Sequence, residues 1–510
     1  MIRKQNLLIV LFLILYLPFF LMLLSEARAY DLRYGGTVPT IGDELDYQPL
    51  AVNLLYGVGY KQDLVLPLEL YNLDLTTPRG QQLARQYQLK GIVKVEPVMH
   101  FYRGPGFPAF LSVVYSLFGN TTLVGRLMTA ILIVAVAVLI LLTGSNWAGW
   151  RGTLAGGIAG LLYLLPQVLR TWDVDRLLTE VPSTFWVTLF GFLFVLHQKT
   201  QRTSYFLLAT LALLCALFTR SNLMTLLPLL LVVFVLQRYP LRLIVAFVII
   251  LAVPLGLWSL YATAQLGKFV TLTTQGEIAF PQYNNPDVLY GIDADHTFQG
   301  DWNPGWYYNE AGELTTDYLY APQPGENGWV KGFRFWLENP LQVPALFFVK
   351  LRAGFWTKEG IAGLYTLGLC FLFISLGFCK PGERKHVLPN LSNRQILALQ
   401  IGLALAATII MAVLHTSLYL LVLGIYAVMI VLALLRPYGD VFMLPYPSPV
   451  WFLTFVASHF ITTILFMGVR FHEPLDPLLC MFGAFGLILL IEYILSGARR
   501  RRASYVLQPG

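Results

Sequence analysis

Runs of about 20 apolar residues recur along this chain, and a stretch of that length satisfies its own backbone in lipid as a helix. The first covers residues 6–25, flanked by Arg3 and Lys4. Others follow at about 123–143, 152–169, 181–198, 205–219, 222–237 and 241–263. After a long polar stretch come 360–378, 395–414, 416–434, 449–468 and 478–496. This pattern predicts an all-α polytopic membrane protein of about 12 transmembrane helices, with juxtamembrane helices and a mixed extracytoplasmic loop of about 90 residues. Composition agrees: 56% of residues are hydrophobic and 12% charged, against roughly 25% charged in soluble domains. A water-soluble enzyme, a disordered regulator and a free nucleic-acid-binding protein are excluded on that ground, so no nucleic acid is expected as a partner.

The net charge of +7 belongs to loops rather than to an acidic ligand. With a cytoplasmic N-terminus, the short inner segments collect His197, Lys199, Arg202, Arg238, Arg242, Lys380, Arg384, Lys385, Arg394 and the tail Arg499 to Arg502. The short outer loops hold Arg170, Arg176, Arg220 and Arg470. That asymmetry follows the positive-inside rule and puts both termini in the cytoplasm and residues 26–122 and 264–358 outside. Ala27-Arg28-Ala29 resembles a signal-peptidase site, but the preceding run exceeds the roughly 7–15 residues of a signal core, favouring a retained anchor.

Residues 107–118 and 341–356 are too short to span and are expected as helices in the outer interface. Trp147, Trp150, Trp356 and Trp451 stand near run ends, where an aromatic belt would lie. The chain thus divides into a transmembrane catalytic module (1–263) with a long first outer loop (26–122), an extracytoplasmic cap with an interfacial helix (264–358), and C-terminal helices with a basic tail (359–510). Cys215, Cys370, Cys379 and Cys480 all fall in or beside apolar runs, which suits packed thiols better than a disulfide framework.

In a chain this apolar, the acids are informative. Four outer clusters stand at or near span ends: Asp43-Glu44-Leu45-Asp46-Tyr47; Arg170 to Arg176 followed by Glu180; Thr219-Arg220-Ser221-Asn222; and Arg470-Phe471-His472-Glu473 with Asp476. Charges at membrane depth usually pair or line a cavity, although Arg220 or Arg470 alone could snorkel to headgroups. Asp43, Glu44 and Glu180 can accept a proton from a hydroxyl nucleophile or hold a metal ion. Arg103, Arg220 and Arg470 can neutralise a phosphate. Such groups at a lipid boundary suit a substrate with an isoprenoid tail in the bilayer and a phosphate at its surface. His100 and His472 lack metal-ligand spacing, and no nucleotide-binding glycine loop is evident. The aromatic residues Trp302, Trp306, Tyr307, Tyr308, Tyr318 and Tyr320 suit either sugar binding or the core of a small cap.

These segments, in this order, resemble the polyprenyl-phosphate-sugar-dependent glycosyltransferases of the C superfamily, in the branch of the protein O-mannosyltransferases and lipid A aminoarabinose transferases. Asp43-Glu44 with Tyr47 and Ala51 to Leu55 resembles the family's first-loop acidic motif. Arg103-Gly104-Pro105-Gly106-Phe107-Pro108 resembles the segment that opens an interfacial helix, and Thr179-Glu180 the second-loop acid. Leu217 to Arg220, Arg470 to Pro477, Leu272 to Gly276, Asn284-Asn285-Pro286, and Glu338-Asn339-Pro340 with Lys350-Leu351 are similar to further recurring segments. One departure is Asp46, where the aminoarabinose branch has an arginine.

The resemblance implies an inverting transfer of a sugar from a polyprenyl-phosphate donor to an acceptor hydroxyl on a lipid, glycan or protein, at the periplasmic face of a bacterial inner membrane. It implies Asp43 as general base and Glu44 as its support. Glu180 would hold the acceptor, assist Asp43 or cap its own span. Tyr47, Arg103, Arg220 and Arg470 would bind substrate. No cofactor is implied, and no metal ligands are assigned, though the acids have the chemistry for a divalent ion. The alternative is a transporter or flippase of a lipid-linked substrate. Transporters place polar groups near the midplane in related halves, whereas these charges are one-sided.

Overall fold

The computed structural model describes residues 2–34, 44–57, 59–60, 101–170, 177–285, 326–347 and 449–466, with isolated positions at 288, 307–308, 314–315, 350 and between 474 and 488. The runs at 360–378, 395–414 and 416–434 lie outside them. The described chain is helical: α1 (Ile2–Tyr34), α2 (Glu44–Leu55), α3 (Gly106–Phe118), α4 (Thr122–Arg170), α5 (Glu180–Thr200), α6 (Thr203–Thr219), a 3-10 turn (Ser221–Thr225), α7 (Leu226–Leu236), α8 (Leu241–Leu266), α9 (Gln275–Gln282), α10 (Gly328–Glu338) and α11 (Pro449–Phe466). A two-residue antiparallel ladder pairs Tyr307-Tyr308 with Leu314-Thr315. Among the described residues, four helices are long and apolar enough to cross a bilayer, within α1, α4, α5 and α8.

Two of the apolar runs form one folded-back element. In α4 the helix breaks at Ala148 and Gly149, the latter at φ 59°, a conformation glycine adopts without steric cost. Its arms then return so closely that a Cβ on Gly144 would lie 2.1 Å from the Gly152 carbonyl oxygen. Further along, Gly156 sits on the backbone of Ile140 and Leu141. Without an aqueous driving force, helices in lipid associate through such close small-residue approach.

Helix α1 lies across both arms. Phe12 and Tyr16 seat over Gly157 and Gly160, and the Tyr16 hydroxyl donates to the Gly157 carbonyl at 3.1 Å. It continues helically past the 6–25 run to Tyr34 because its last turns have a polar destination. The Arg126 guanidinium, fully buried, meets Asp31 at 2.7 Å, and the Thr122 hydroxyl donates to the same carboxylate oxygen at 2.7 Å. Tyr30 stacks under that guanidinium at 4.8 Å.

The bundle has two distinct polar ends. At one, Gln5 donates to Ser145, Lys4 lies over Trp150, Lys199 donates to Asn146 and Gln198 to the Tyr239 hydroxyl. Asp31, Arg126, Glu180 and Arg220 occupy the other. Trp147 corrects the expectation of an aromatic belt at that position: it is buried, its ring 4.4 Å from Phe485, because the tight turn of α4 directs it inward.

The cap helices α9 and α10 pack on each other and on the end of α11. Lys350, fully buried, donates to Asn284 Oδ1 at 2.5 Å and to the Ile464 carbonyl at 2.7 Å. The Asn284 amide donates to the Leu465 carbonyl at 3.0 Å, and the Trp336 indole donates to Asn284 Oδ1 at 2.8 Å. Ile464 and Leu465 are among the last carbonyls of α11, which a helix cannot satisfy internally. Two segments singled out in the sequence, around Asn284 and around Lys350, thus meet in one polar hub.

Two expectations follow. Gly144→Ala should destabilise the protein by about 1–3 kcal/mol, as overpacking does. Gly256→Ala, where a Cβ meets nothing within 4 Å, should be neutral or stabilising; thermal unfolding in detergent compares them. Burial pushes the Lys350 ammonium well below its usual 10.5. Between the lowered value and 10.5 the folded chain binds fewer protons than the unfolded chain, so stability rises with pH there. Unfolding measured from neutral pH upward should show that rise in the parent protein and lose it in Lys350→Met.

Candidate functional site

Glu180 opens α5 and Arg220 follows the last residue of α6. These two helices run side by side, so the start of one and the end of the other fall at the same bundle end. There Arg220 Nη1 meets Glu180 Oε1 at 3.0 Å, with side chains 9% and 4% exposed. A charge that secluded is tolerated because it is paired. The carboxylate also lies 3.5 Å from the Thr179 hydroxyl, and the Glu180 carbonyl accepts from Ser183 and Thr184 at 2.8 Å each.

Backbone contact brings the Arg103 segment onto this pair. A Cβ on Gly104 would sit 2.4 Å from the Phe218 carbonyl oxygen, and one on Gly106 2.6 Å from the Thr219 nitrogen. Only glycine lets the turn before α3 rest directly on the end of α6. Arg103 and Arg220 each lie one residue beyond that contact. The Arg103 side chain is buried with its guanidinium 5.3 Å from the Tyr47 ring and 4.7 Å from the Tyr102 ring. Its carbonyl accepts from the Tyr60 hydroxyl at 2.8 Å.

Helix α2 supplies Tyr47, which packs edge-on against Phe107 at 5.2 Å. Tyr47, Ala51, Val52, Phe107, Leu111, Tyr115 and Leu177 make one apolar group, and the buried Tyr115 hydroxyl donates to Gln48. Leu177 ties this group to the approach to Glu180. The stretch after α8 closes the other flank. The Thr274 N–H donates to the Phe101 carbonyl at 2.8 Å, the Trp258 indole to the Leu272 carbonyl at 2.8 Å, and the Thr273 hydroxyl stands 3.5 Å from that of Ser221.

The structure therefore gathers Tyr47, Arg103, Glu180 and Arg220, drawn from four separate stretches, at one bundle end. Asp43 and Arg470 lie outside the described residues, as do His100, His472 and the stretch 171–176. Glu44 begins α2, its side chain outside what is described. Sequence reasoning missed the Asp31–Arg126 pair, since Arg126 sits inside an apolar run with nothing nearby to mark it. It also missed Thr273 and Ser221 as neighbours. Among the described residues, no three His, Cys, Asp or Glu side chains gather as a metal ion would require.

These features define a helical integral membrane protein with buried ionic groups at one end of its bundle. No protein-family description matches the chain, and no curated protein matches it. A crystal structure of ArnT from Cupriavidus metallidurans bound to undecaprenyl phosphate is similar over 94% of this chain and 77% of that one, at 11% identity and a TM-score of 0.36. A likeness that slight fixes neither the fold nor the chemistry.

Removing one partner of a buried ion pair strands the other charge, at a cost of about 3–5 kcal/mol. Glu180→Gln and Arg220→Met should each destabilise the protein to that extent, and the double variant by less than their sum. Unfolding free energies of the four proteins test this; additive losses would mean the pair is not coupled.

Proposed function

We propose that this protein is a membrane glycosyltransferase that moves a sugar from a polyprenyl-phosphate donor to an acceptor hydroxyl at the extracytoplasmic face of a bacterial inner membrane. The observation carrying this reading is the convergence of the Arg103 turn, Tyr47 and the Glu180–Arg220 pair at one bundle end. Two guanidinium-bearing segments there, beside an aromatic ring and a carboxylate, suit a phosphate arriving at a lipid boundary. The opposite polar end, with Lys4 and Lys199, would be cytoplasmic in a topology of about twelve spans.

In the proposed reaction the acceptor oxygen attacks the anomeric carbon as Asp43 takes its proton. The bond from that carbon to the phosphate oxygen breaks on the opposite face, inverting the centre, and the electron pair leaves with the phosphate. Arg103, Arg220 and Arg470 would hold that developing charge, a form of stabilisation that often supplies the largest share of catalysis. Glu180 would orient Arg220, since one carboxylate does not exhaust a guanidinium with up to five N–H donors. Glu44 would support Asp43, and Tyr47 would shape the donor side.

Mass spectrometry of lipid-linked sugars in a deletion strain identifies the donor that accumulates. With that donor and the purified protein in detergent, Asp43→Asn should lower transfer by about 100-fold or more while membrane yield and unfolding stay unchanged. Near-normal transfer would remove Asp43 as base, and absence of any transfer by the parent protein would favour the flippase alternative. No cofactor enters this scheme, so transfer should survive EDTA; loss restored by magnesium or manganese would assign a divalent ion to the acids.

A further inference from the structure

Helix α10 carries an apolar stripe that the described residues leave largely open, with Phe333 resting partly on the Phe280 ring at 4.8 Å. At about 3.6 residues per turn, Val330, Phe333 and Leu337 fall on one line, and Leu341 follows in the turn just beyond the helix. They are 55%, 44%, 81% and 93% exposed. The helix is not free to turn this stripe inward. A Cβ on Gly328 would lie 2.0 Å from the Glu277 carbonyl oxygen and one on Gly332 2.5 Å from the Phe280 ring, so the glycine face is seated against α9. Its N-terminus is capped by the Asn327 side chain, which accepts from the Val330 N–H at 3.1 Å.

Its depth is set by α11. The apolar helix α11 ends at Phe466, whose ring lies 5.8 Å from Trp329 and 6.2 Å from Phe280. Helix α10 therefore lies beside the end of the 449–468 run, which the sequence predicts as a span, where acyl chains would give way to headgroups. The flanks of the stripe fit that level. Arg334 and Lys331 border one side together with Glu338, and Lys331 pairs with Glu326 at 3.1 Å, so this border is charged but balanced in sign. Trp329 and Trp336 border the other. Long basic side chains reaching outward and indoles at the boundary are the residues an interfacial helix uses.

We infer that α10 is seated in the bilayer leaflet at which α11 ends, with Val330, Phe333, Leu337 and Leu341 among acyl chains and Arg334 and Lys331 at the level of the headgroups. The inference stands whether or not the protein transfers sugar. It gives the cap a second attachment to the membrane, and through the Trp336–Asn284 bond it braces the hub that holds Lys350 and the end of α11.

The test is spin labelling of the full-length protein in vesicles of phosphatidylethanolamine and phosphatidylglycerol. Leu337→Cys and Glu338→Cys are labelled separately, with the parent chain's own cysteines recorded as background. The ratio of collisions with oxygen to collisions with a water-soluble nickel chelate should be several-fold higher at 337 than at 338. Equal, water-like ratios at both positions would overturn the inference. Protection of position 337 from both reagents would also overturn it, assigning the stripe to a protein surface such as a second copy of the chain.

Discussion

A carboxylate and a guanidinium that share less than a tenth of their surface with solvent must stay together, and the arrangement of this bundle end depends on that requirement. Glu180 is fixed to the first turn of α5 and Arg220 to the exit of α6. Their pairing sets the two helix ends at a common level. The same exit then serves as a floor for Gly104 and Gly106, so the Arg103 turn inherits its position from the pair. Tyr47 and Leu177 join the arrangement through apolar packing rather than charge.

Much of the helical framework was legible in the sequence because apolar length is a strong signal in lipid. The runs at 181–198, 205–219 and 241–263 became α5, α6 and α8 with small changes at their ends. Other features were invisible for physical reasons. Helix α10 mixes charged and aromatic residues at a period that hydropathy averaged over a long window erases. Arg126 gives no local sign, since its partner Asp31 is ninety-five positions away on a helix read as ending earlier. Trp147 was misplaced because nearness to a run end says nothing about which way a tight turn points a side chain.

Within the candidate site, residue types were readable but not their partners. Glu180 and Arg220 stood out as charges beside apolar runs, yet Arg220 could have reached headgroups alone and Glu180 could have capped its own span. Their contact depends on the side-by-side packing of α5 and α6, which no motif encodes. The roles of Gly104 and Gly106 were equally hidden. A glycine in a sequence signals freedom of the backbone, whereas here the missing side chains matter because another main chain occupies their space.

The doubled-back α4 has a consequence for how the chain is assembled. Its arms touch main chain to main chain, and every contact that defines it lies within a few dozen residues of the Gly149 bend. Elements closed by such short-range contacts form early. Helix α1 precedes it and already carries the rings that fit its grooves. Helix α1 and the two arms of α4 can therefore complete a docking platform during synthesis, before α5 and α6 emerge to close the ionic end against it.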